Sequence, residues 1–75
     1  MDKDYDQDQL NEALEEVLGY SLTTISPDDE HYYYAILDEN GEYDEGNDVF
    51  DYLSDVQEFM LTNPKLAEYL TKEFD

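Results

Sequence analysis

Between Lys3 and Lys65 the chain holds no lysine or arginine. Whatever it folds into must keep its carboxylates at the surface, because an unpaired charge is too costly to bury. Twenty-two Asp and Glu face three lysines, a formal net charge of −19. Disorder is the first explanation for such a balance. Against it, 40% of the chain is hydrophobic and three segments carry a clean helical period.

The first helical segment covers about 9 to 18. Leu10, Ala13, Leu14, Val17 and Leu18 make one apolar face, with Glu12, Glu15 and Glu16 opposite. Asp6 or Asp8 is placed to cap it, and Gly19 to end it. "YSLTTI" (20–25) reads as a first strand and "HYYYAIL" (31–37) as the strongest one, joined by the turn chemistry of "SPDDE". Either Tyr32, Tyr34 and Ile36 or Tyr33, Ala35 and Leu37 face inward. Asn40-Gly41 is the preferred pair for a tight hairpin turn, so a short acidic return strand is expected near 42–45.

Helix two is expected to start with Asn47 or Asp48 as cap. Val49, Leu53, Val56 and Met60 would form its buried stripe, with Phe50 beside them. Asn63-Pro64 signals a stop and a restart. Helix three then shows Leu66, Tyr69, Leu70 and Phe74 on one face. The expected architecture is one α+β domain over 1–75: an N-terminal helix, a small antiparallel sheet of two or three strands, and two C-terminal helices. Residues 1–7, with Asp2, Asp4, Asp6 and Asp8 at every second position, read as a frayed acidic N-terminus.

Chemistry is sparse. His31 is the single histidine and there is no thiol. Ser21, Ser26 and Ser54 lack a nucleophile context, and a glycosidase-type carboxylate pair needs a walled cleft that a chain this short hardly builds. No enzyme activity and no cofactor are expected. The Asp38, Asn40, Glu42, Asp44 series starts like a calcium loop. Tyr43 and Val49 stand where such a loop needs Gly and Glu, so no metal site is assigned. No basic start leads into an apolar run, and no apolar stretch approaches the roughly 18 residues of a spanning helix. With no cysteine, a reducing cytoplasm is the expected setting.

The charge selects the partner. Anionic membranes, DNA and RNA would repel this surface. A basic protein is the natural counterpart, and most basic protein surfaces hold nucleic acid. Placed on a helix, Asp48, Asp51, Asp55 and Glu58 spread over roughly 15 Å, one carboxylate per about 4 Å. One strand of B-form DNA carries a charge every 3.4 Å or so. A compact chain of this length is about 29 Å across, and duplex DNA of that length carries roughly 17 charges. Tyr52 and Phe59 flank the acidic row, and Tyr43 sits in the acidic hairpin with Asp38, Glu39, Glu42, Asp44 and Glu45. Rings beside rows of acid can occupy a groove where bases would stack. The expected binding set is therefore Asp48, Asp51, Asp55, Glu58 and Tyr52, with Asp38, Glu39, Glu42, Tyr43, Asp44 and Glu45.

In size, charge and order the chain resembles small acidic phage proteins that block host nucleic-acid enzymes: inhibitors of uracil-DNA glycosylase, anti-restriction proteins and anti-CRISPR proteins. "DENGEYDEG" and "DVFDYLSDVQEF", in the order helix, acidic hairpin, helix, helix, look most like an anti-CRISPR inhibitor of Cas9. The resemblance implies a DNA mimic, and a monomer or small homo-oligomer is expected. Its partner would be a Cas nuclease, glycosylase or restriction enzyme whose arginines read DNA. Two other readings fit the same composition. One is an immunity protein or antitoxin that caps a basic nuclease toxin. The other is an acidic surface suited to high salt, with no special partner.

Overall fold

The computed structural model describes residues 4–74. The elements run α1 (Gln7–Leu18), β1 (Ser21–Ile25), β2 (Tyr33–Leu37), β3 (Val49–Phe50), α2 (Leu53–Leu61) and α3 (Pro64–Phe74). The three strands form an antiparallel sheet in the order β1-β2-β3. The domain is α+β, as the sequence pattern predicts. No helix among the described residues is long and apolar enough to cross a membrane.

Local signals set the ends of α1. The Asp6 carboxylate accepts the Gln9 N–H at 2.8 Å, while the Gln9 side chain accepts the Asp6 N–H at 3.0 Å. This reciprocal cap satisfies two amides that the helix leaves free. Gly19 ends the helix at φ 74°, its N–H on the Glu15 carbonyl. A Cβ there would meet nothing within 4 Å, so the glycine serves the backbone angle alone. Gly19→Ala should therefore cost about 1–2 kcal/mol, without a clash. In a domain this small that is a fall of several degrees in Tm, measurable by circular dichroism.

The helices cover one face of the sheet. Leu10, Ala13 and Leu14 of α1 meet Leu22, Ile36, Val56, Met60, Leu66 and Leu70 in a single cluster. Tyr34 and Phe50 pack against it, which settles the face of β2: Tyr34 and Ile36 point inward. The edge strand β1 is tied to α1 by the Asn11 side chain, which accepts the Leu22 N–H at 2.7 Å. At α3 the Asn63 side chain accepts the Lys65 N–H at 2.9 Å, and Pro64 opens the helix where its missing N–H costs nothing.

Three expectations are corrected. Helix two does not begin at residue 47 or 48. Val49 and Phe50 pair with Ala35 and Tyr34 as β3, and the helix starts at Leu53. The physical reason is the open edge of β2: with the Asp48 carbonyl taking the Ile36 N–H, the segment fills backbone bonds that a helix would leave unmade. The expected strand at 42–45 does not form. The Asn40-Gly41 turn does, with Gly41 at φ 80° and the Asp38 N–H on the Glu42 carbonyl at 2.8 Å. The Asp38 and Asp44 carboxylates then capture nearby amides and hold the chain off the ladder until β3. The frayed N-terminus is also overturned where it is described. Tyr5 is 2% exposed, and its N–H donates to the buried Gln57 side chain at 2.7 Å. Met1, Asp2 and Lys3 lie outside the described residues.

Candidate partner-binding surface

The row Asp48, Asp51, Asp55, Glu58 is not a helical stripe. Asp48 precedes β3 and is half-buried, its side chain accepting the Asp44 N–H at 2.9 Å. Asp51 is exposed in the bend between β3 and α2. Asp55 and Glu58 alone lie on α2, exposed and three apart. The spacing match to a DNA strand over residues 48–58 therefore falls away, because a strand and a bend interrupt it.

The 38–48 loop uses several of its acids to hold itself in shape. One Asp38 oxygen accepts the N–H groups of Asn40 at 2.9 Å and Glu42 at 3.0 Å. Asp44 accepts the Gly46 N–H at 2.8 Å and the Asn47 side-chain amide at 3.0 Å. The Gly46 N–H, with Asn47, holds the Asp44 carboxyl below its ordinary pKa. Asp28 is lowered in the same way, by the His31 N–H and then that of Glu30. Both charges persist further into acid than a free aspartate's would. Glu39, Glu42, Tyr43 and Glu45 remain exposed on this loop.

The outer face of the sheet carries no helix. Its cross-strand neighbours are Thr23, Ala35 and Val49 in one row and Ile25 with Tyr33 in the next. Tyr33, Tyr43, Ile25 and Val49, with Glu45 and Asp51 among them, line an open hollow of about 450 Å³. A second hollow of about 310 Å³ adjoins it, walled by Tyr32, Tyr33 and Tyr52 with His31 and Asp51. Tyr33 and Asp51 belong to both. Tyr32 is 75% exposed and Tyr52 69%. The fold thus brings Asp51, Tyr52, Tyr43 and Glu45 of the expected set together. It sends Asp48 to a different hollow, beside Phe59.

Sequence reasoning missed Tyr32, Tyr33, Ile25 and Val49 as parts of this surface. The signal was the alternation of "HYYYAIL", which left two faces open until the pairing Ile25↔Tyr33 and Ala35↔Val49 fixed one. Tyr69 is not part of it. Its hydroxyl donates to Glu12 at 3.1 Å, and partial burial, then that carboxylate, push it up to about 12. Asp28, Glu30 and His31 bring one ligand atom each within 4.8 Å of one another, all exposed. Their placement is accounted for by the turn, in which Asp28 accepts the N–H groups of Glu30 and His31.

Fold and surface together define a small α+β domain with three helices on one sheet face and an acidic, tyrosine-lined hollow on the other. No family model, curated protein or solved structure matches the chain.

Proposed function

We propose that this protein is a DNA-mimic inhibitor. It occupies the nucleic-acid-binding site of a DNA-processing or defence enzyme in the cytoplasm of a host cell, the anti-CRISPR form being favoured. It acts by occupancy rather than catalysis. The observation that carries the reading is the state of the charges. Among the described residues the one histidine–carboxylate contact is the exposed His31–Asp28 one at 3.7 Å, and Lys65 and Lys72 pair with no acid. Carboxylates that no cation of the fold neighbours keep their full attraction for a basic partner, on a chain whose formal net charge is −19.

Scale supports it. The long axis is 37 Å, and duplex DNA of that length carries about 22 charges. Exposed tyrosines beside the acids offer rings where bases would stack. Complementary fields make association fast and salt-sensitive.

The test is competition. A labelled duplex is bound in turn to a guide-loaded Cas nuclease, a uracil-DNA glycosylase and a restriction enzyme, and fluorescence anisotropy follows its release. The protein should displace DNA from one of these while binding no DNA itself. Salt should act in opposite senses: it weakens the complex, yet raises the Tm of the free protein by screening self-repulsion beyond about 8 Å at physiological strength. Simultaneous binding of DNA and protein without mutual weakening would remove the mimic reading.

A further inference from the structure

The geometry points to a seat for an arginine side chain of the partner on the outer face of the sheet, between Tyr33 and Tyr43, with Asp51 and Glu45 as its carboxylates. This rests on the mimic reading. It goes beyond it by fixing the face that is used and the cation it takes.

The outer face is the wrong composition for a solvated one. An antiparallel sheet with one covered face normally alternates apolar inward and polar outward. Here Ile25, Tyr33, Ala35, Leu37 and Val49 all fall on the outward side, with Ser21 and Thr23 as its polar strand residues and no charged one. Ala35 is fully buried there, outside the helix-side cluster. An apolar floor with acids at its edge calls for an occupant that is both flat and cationic. A second copy of the chain is disfavoured, since each carries −19 and they repel. Nucleic acid and anionic membrane are repelled for the same reason.

Among cations, the hollow discriminates. A guanidinium is planar, weakly hydrated and able to stack on a ring while its edge meets a carboxylate bidentately. A lysine ammonium is compact and holds its water, so an apolar, ring-walled floor strips it at greater cost. Tyr33 supplies a ring to both adjoining hollows and Asp51 a carboxylate to both. One arginine in the larger hollow thus leaves Tyr32 and Tyr52 free to pack against the neighbouring chain of the partner.

Nona-arginine and nona-lysine peptides test this on the full chain. Affinity is measured by titration at matched ionic strength, and tyrosine ring and side-chain carboxylate resonances are followed by NMR. Nona-arginine should bind about threefold more tightly or better, as stacking on an exposed ring predicts. The largest shifts should fall at Tyr33, Tyr43 and Asp51. Asp51→Asn and Tyr43→Leu should each erase the preference, and Tyr33→Phe should keep it. Tyr43 lies in an exposed loop, so its variant stays informative even where a change at Tyr33 disturbs the sheet. Equal affinity for the two peptides, or shifts spread over all acidic faces, overturns the proposal. So does a peptide-independent dimer that protects these rings. The two ideas fail separately: loss of DNA displacement with the arginine preference intact sinks the mimic reading, and the reverse sinks the seat.

Discussion

Tyr5→Ala should lower stability by about 3–5 kcal/mol, the usual cost of truncating a buried aromatic ring. For 75 residues the whole stability is of order 4–11 kcal/mol, so the variant should sit near its unfolding midpoint at modest urea. Two features tie Tyr5 into the fold. Its ring lies 6.3 Å from that of Phe74 at the far end of α3, and its N–H is held by Gln57 of α2. Losing the ring leaves a cavity beside Phe74 and the segment that leads into α1. Urea melts followed by circular dichroism measure the shift. Tyr32→Ala is the matched control, because that ring is 75% exposed and its loss should change stability by no more than about 0.5 kcal/mol. Equal midpoints for both variants would return Tyr5 to a frayed terminus.

That residue shows why part of the fold was hard to read. In "MDKDYDQD" the aspartates draw attention, since they recur at every second position. The same period places Tyr5 on the other side of an extended segment, and a lone ring between charges gives no periodic signal. α1 and α3 were legible because their evidence is local: Asp6, Gly19 and Asn63-Pro64 act within one turn of the ends they set. β3 was not. Val49, Leu53, Val56 and Met60 satisfy a helical period, and Val49-Phe50 equally suits a strand. Only the open edge of β2, a feature remote in sequence, decides between them. The binding set suffered in consequence. A helix capped at residue 47 or 48 groups Asp48 with Asp55, but the helix is capped at Tyr52, four or five positions later, and the fold separates their roles.

The separation makes a second large effect measurable. Asp51→Asn, Asp55→Asn and Glu58→Gln together remove three exposed charges while keeping shape. Stability should hold or rise slightly, because the Asp55–Glu58 pair repels across one helical turn by a few tenths of a kcal/mol. Partner binding should fall by several kcal/mol if these carboxylates meet buried arginines, since truncating one side of such a pair costs about 2–5 kcal/mol and the costs do not add. Asp48→Ala should do the opposite. It removes the acceptor of the Asp44 N–H, costs about 1 kcal/mol of stability and weakens binding only through disorder of the 38–48 loop. A third set, Glu12, Glu15 and Glu16 to Gln, takes three charges from a different helix, α1. It should slow association at low salt and leave dissociation nearly unchanged. Calorimetry and stopped-flow binding at two ionic strengths separate these outcomes. If the first and third sets weaken binding equally, only net charge matters and no face is special. If the first set leaves affinity intact, the partner docks elsewhere, and the hollow holding Asp48 and Phe59 becomes the surface to test.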